Sequence, residues 1–161
     1  MEQILKKISD DAAFQRLSSL CATAEYCLFD MRRKMERWDL TDQQKARLLK
    51  RLVAEKYVDE NRYAHAFVRD KSRYNKWGAK RIEFELRKRH IDDDDIRDAL
   101  TELQELDTDD MLINLLRQKA KTVKYRNEYE LLTKLMRFAA GRGFSADDFN
   151  RCIRKVLLER E

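Results

Sequence analysis

YVDENRYAHAFVRDKSRYNKWGAKRIEFELRKRHI, the stretch from Tyr57 to Ile91, decides the fold. Tyr63, Phe67 and Val68 recur at helical spacing, and so do Ile82 and Leu86, while Asn75 to Gly78 interrupts the pattern. Two helices are therefore expected, the first capped by Asp59 and the second entered through Trp77-Gly78. At ~100° per residue the second helix puts Ala79, Ile82, Leu86 and His90 on one face, which is expected to be buried. Phe84 falls nearly opposite Ile82, between Lys80 and Lys88 and near Arg81 and Arg87. From Arg69 to Ile91 nine bases face only three acids, so this is a basic stretch threaded with apolar residues.

The surrounding chain repeats the same grammar. Its 161 residues are 40% charged and 43% hydrophobic, with three glycines and no proline. Charge of both signs, ample Leu, Ile, Phe and Tyr, and missing helix breakers give an all-α fold class. Met1 to Asp11 reads as frayed or as a short lead-in helix. Phe14, Leu17 and Leu20 start one helix; Leu28, Met31 and Met35 mark a second, beginning after Thr23. Thr41 caps a third, with Leu48, Leu49, Leu52 and Val53 on one side. Asp92 is placed to cap the helix of Ile96, Leu100 and Leu103. Three more helices carry Met111 to Leu116, Leu131 to Leu135 and Phe149 to Leu157. Gly141 and Gly143 end the middle one, and Ser145 caps the last.

Leu40-Thr41, Ile91-Asp92 and Phe144-Ser145 occupy one recurring position, an apolar residue followed by a cap, 51 and 53 residues apart. Met31, Ile82 and Leu135 correspond upstream; Leu49, Leu100 and Ile153 correspond downstream. Three units of three helices, over residues 1–57, 58–106 and 107–161, are the simplest account. A single irregular helical bundle is the rival. Units of this size bury a small core each and gain from stacking on their neighbours.

The formal net charge is +5, compatible with a polyanionic partner but not proof of one. Asp92 to Asp110 holds ten acids and one base. Helix capping and compensation of the helix dipole explain such a run better than a calcium loop, whose alternate spacing and glycine it lacks. Cys21, Cys27 and Cys152 have no paired spacing and read as buried, reduced thiols. His65 and His90 are too far apart in pattern for a metal pair. No phosphate-binding glycine loop or nucleophile motif stands in the chain, so a binding protein without cofactor is expected, not an enzyme. No apolar run approaches the ~20 residues that span a bilayer; a cytoplasmic protein, away from membranes, is the expectation.

The candidate contact residues are Arg73, Lys76, Lys80, Arg81, Phe84, Arg87 and Lys88, with Arg47 and Arg51 from the preceding unit. Phe84 on a basic face suits stacking on a nucleic-acid base or insertion into a partner's pocket; packing on an adjacent module is the alternative. Trp77 is better read as a packing anchor than as a stacking platform.

Asp59 to Lys71, then Trp77 to Ile91, is similar to the central module of the RecX family of bacterial recombination regulators. Asp59-Glu60, Arg62-Tyr63-Ala64, Gly78, Arg81-Ile82 and Glu85-Leu86-Arg87 fill that module's pattern. The segment Ala22 to Met35 is consistent with the family's first module. The resemblance implies three tandem three-helix modules in an elongated, curved arrangement. It also implies a monomer that binds the RecA recombinase filament on single-stranded DNA and inhibits its ATPase and strand exchange. The chain departs from the family pattern at His90, where a glycine commonly closes the second helix; this bears on turn geometry.

Overall fold

Most helices begin where the sequence supplies an oxygen for the orphan amides of a first turn. In the computed structural model, which describes residues 4–160, Ser9, Thr41, Asp59, Asp107, Asn127 and Ser145 each accept such an amide. The helices are α1 (Asp10–Leu20), α2 (Leu28–Met35), α3 (Asp42–Ala54), α4 (Glu60–Arg73), α5 (Ala79–Lys88), α6 (Asp93–Leu100), the short α7 (Glu102–Glu105), α8 (Thr108–Thr122), α9 (Glu128–Gly141) and α10 (Ala146–Leu158). Among the described residues there is no strand, only an isolated bridge between Lys6 and Trp38. The fold is all-α.

Three hydrophobic clusters divide the chain. The first joins Phe14, Leu17, Met31, Met35, Leu48 and Leu52 from α1, α2 and α3. The second joins Tyr63, Phe67, Val68, Ile82, Leu86 and Ile96 from α4, α5 and α6. The third is built from α8, α9 and α10 around Leu112, Leu116, Leu135, Phe149 and Val156. Three tandem three-helix modules result. Truncating a fully buried member such as Leu86 to alanine is expected to cost about 2–5 kcal/mol.

Several local expectations need correction. Lys6 is not frayed: its amide donates to the Arg37 carbonyl and its carbonyl accepts from Asp39. Val53 is 46% exposed, rotated off the face that Leu48, Leu49 and Leu52 bury. Asp92 stands at the N-cap of α6 but its side chain makes no cap bond. Leu103 lies on α7, beyond the break at Thr101, and not on the helix of Ile96.

His90 also leaves the face assigned to it. α5 ends at Lys88, and His90 is an exposed residue at φ +57°. Its amide donates to the Arg87 carbonyl and that of Ile91 to the Leu86 carbonyl, the paired bonds of a left-handed helix end that glycine usually serves. Lys56 (φ +63°) closes α3 and Gly143 (φ +94°) closes α9 with the same pair of bonds. The turn therefore keeps its geometry without glycine, at a strain cost of about 1–2 kcal/mol.

Candidate partner-binding face

The Gly78–His90 segment is positioned by two neighbours. On the first-module side, Cys27 is buried in the second cluster and Phe29 packs against it, with the Phe29 and His90 rings 5.8 Å apart. The Leu28 amide donates to Glu60 (3.3 Å), and Arg62 Nε donates to Glu25 (2.6 Å). Burial raises the Glu60 carboxyl above its ordinary value and pushes the Cys27 thiol up to about 12. Cys27, Cys21 and Cys152 are all free thiols, the first and last buried.

On the third-module side, α5 is capped by another helix's end. The Gly78 amide donates to the Arg142 carbonyl (2.7 Å) and the Lys80 amide to the Gly143 carbonyl (3.0 Å). Arg81 donates to the Gly141 carbonyl (3.1 Å), and Arg142 donates to the Asn75 carbonyl (2.9 Å). The orphan carbonyls at the end of α9 thus satisfy orphan amides at the start of α5. This approach needs two glycines. A Cβ on Gly78 would stand 2.5 Å from the Gly143 oxygen, and one on Gly143 would stand 2.4 Å from the Arg81 Cβ.

These contacts sort the sequence-predicted residues. Arg47 pairs with Asp10 at 3.3 Å. Arg51 pairs with Glu55 at 2.7 Å and lies 3.6 Å over the Phe14 ring. Arg87 is held by Glu83 at 2.8 Å, and Arg81 stacks 4.2 Å over Trp77 while serving the α9 junction. By contrast, Arg73, Lys76 and Lys80 are exposed and make no ion pair among the described residues. Phe84 is 59% exposed, so it does not pack on a neighbouring module. The Lys88 ammonium lies 5.5 Å from its ring and a loose 3.9 Å from Glu85. Trp77 is a packing anchor: half-buried, beside Phe67 and covered by Arg81 and Lys71.

The structure adds a residue that periodicity hid. Tyr74 is eleven residues on from Tyr63, which places it on the same helix side. It stands at the end of α4 instead, 73% exposed, between Arg73 and Lys76. Its flanking bases were the available signal.

The acidic run has its own explanation. Asn61, His65 and Arg69 line one side of α4 and receive Asp95, Asp98 and Glu102. Asp107 caps α8 and Asp109 holds Arg151 through two bonds of 2.9 Å. Asp93, Asp94 and Asp95 do sit in the first turn of α6, as dipole compensation requires. The run is therefore largely a ladder to α4 as well as a set of caps. No group of three possible metal ligands occurs among the described residues, and none of their helices is long and apolar enough to cross a membrane.

Comparison with known proteins agrees with this geometry. Residues 59–100 match the model of the second three-helix domain of RecX, and residues 107–153 match that of the third. The chain belongs to the RecX family. A "Regulatory protein RecX" from Haemophilus influenzae strain PittEE is 28% identical over 138 residues, covering 85% of this chain and 90% of the relative. One from Prosthecochloris aestuarii is 24% identical over 145 residues, covering 90% and 93%. Among solved structures, RecX from Lactobacillus salivarius superposes with a TM-score of 0.80 at 18% identity, over 92% of this chain and 97% of that one. A second, a regulatory protein RecX, gives 0.81 at 21% identity over 90% and 71%. These RecX relatives are named as regulatory proteins, not as enzymes.

Proposed function

We propose that this RecX-family chain is a non-enzymatic regulator that docks on the RecA recombinase filament assembled on single-stranded DNA. In this reading it inhibits the filament's ATPase and strand exchange. The observation that carries it is the solvent face of the central module. In that module Arg73, Lys76 and Lys80 are exposed and have no ion partner among the described residues, and exposed Phe84 stands beside Lys88 on α5. Cations that the fold leaves unpaired suit phosphates or acidic protein surface, and an exposed ring suits a base or a pocket. Arg47, Arg51, Arg81 and Arg87 are engaged within the chain and take a supporting place. The molecule acts as a cytoplasmic monomer without cofactor, its modules divided after Tyr57 and after Leu106.

The same face supports a second reading, a stand-alone DNA- or RNA-binding module. One experiment separates them: single-stranded-DNA-dependent RecA ATPase with added protein, alongside direct binding to a labelled oligonucleotide. The first reading expects ATPase to fall as the protein approaches stoichiometry with RecA, and no inhibition there overturns it. Binding without RecA that weakens steeply with salt, with ATPase untouched, supports the second.

A further inference from the structure

The first module departs from the other two in one respect. In the second and third modules every helix packs on both of its partners. In the first, α1 and α2 each pack on α3 but scarcely on one another. An open groove of about 1210 Å³ remains between them, larger than the ~300–1,000 Å³ typical of small-molecule pockets. Arg16 lines it from α1; Arg33, Lys34 and Arg37 line it from the α2 side. None of the four forms an ion pair among the described residues. Of the two acids in the lining, Asp30 is occupied at the start of α2, accepting the Cys27 amide, and exposed Glu36 is outnumbered by the four cations. Leu20 and Trp38, both half-buried, supply an apolar floor.

We propose that this groove is a docking site for an acidic peptide segment of a partner protein, with apolar side chains on the floor and carboxylates on the guanidinium rim. Charge decides the sign of the occupant, because four unpaired cations line a concave surface. The aromatic residues decide its class. Single-stranded nucleic acid needs open rings on which bases stack. Here Tyr26 and Trp38 are both half-buried, with Trp38 packed against the first core, unlike the exposed ring of Phe84. A floor whose rings are half-buried, under a basic rim, fits carboxylates and aliphatic side chains better than stacked bases. This site is separate from the α5 face, and its test contains no recombinase.

The probe is a fluorescein-labelled peptide of about four helical turns, rich in Glu and Asp, with leucines at i, i+3 and i+7. Its binding to the full chain is followed by anisotropy. Arg16→Glu with Arg37→Glu is expected to weaken binding at least about tenfold with circular dichroism unchanged, and replacing the leucines by serine also weakens it. If the reversed pair fails to fold, Arg16→Gln with Arg37→Gln is read instead. Absent binding, or equal binding by wild type and a folded variant, overturns the proposal. So does an oligonucleotide that displaces the peptide and itself depends on Arg16 and Arg37, which would assign the groove to nucleic acid.

Discussion

His65 lies between two carboxylates, Nε2 at 2.9 Å from Asp98 and Nδ1 at 2.8 Å from Glu102, with Arg69 also 2.9 Å from Glu102. Hydrogen bonding to Asp98, then to Glu102, raises the imidazole above its ordinary value. The same bonds hold both carboxylates below theirs. A raised histidine stabilises the fold fully below its unfolded value, about 6.5, and that contribution is lost as pH rises through the higher folded value. The carboxylates contribute above their unfolded values, about 4, and lose this as acid protonates them. The α4–α6 contact is therefore strongest between about pH 4.5 and 6.5. At low salt the thermal midpoint should fall as pH rises above about 6.5, and His65→Gln should flatten that slope. Parallel curves for the two proteins would remove His65 from the account. The sequence marked His65 only as an isolated histidine, because its partners lie 33 and 37 residues away.

The helix α5, with its flanking residues Gly78 and His90, meets both neighbouring modules. Ile82 and Leu86 are fully buried beneath it, and this face was legible because helical periodicity and burial follow one rule. Its start is another matter. Gly78 reads as a turn and Gly143 as a helix end, but neither signal says that the two meet across modules. Gly78→Ala should lower stability by about 1–3 kcal/mol, since the added methyl must push the Gly143 carbonyl aside. Denaturant unfolding checks the energy, and hydrogen exchange at the Lys80 amide checks the site. Unchanged protection there would mean that the α9 end does not cap α5. The same contacts explain why Arg81, basic and central, is committed to its own fold: its guanidinium serves the Gly141 carbonyl and covers Trp77.

Across the whole molecule the excess of base over acid is not spread evenly, and most arginines near an acid are spent on it. What remains outward in the central module is Arg73 and Lys76 flanking Tyr74 at the end of α4, and Lys80 and Lys88 flanking Phe84 on α5. Replacing Lys76, Lys80 and Lys88 together by glutamate should leave helical content intact while abolishing inhibition of RecA ATPase; retained inhibition would move the contact to another module. Arg81 is left unchanged in that variant because its loss would disturb the module junction. The amino-acid sequence by itself determined most of the helices, most of their caps, the threefold repeat and most of the buried faces, Asp92, Val53, His90 and Leu103 excepted, since propensity, capping and periodicity are local and act within about one turn or two. Only the tertiary structure decided which cations are occupied, that Phe84 is exposed, that α9 caps α5, and that the first module stays open between α1 and α2. Apart from the i,i+4 pairs of Arg51 with Glu55 and Arg87 with Glu83, which spacing encodes, these depend on groups brought together from distant parts of the chain.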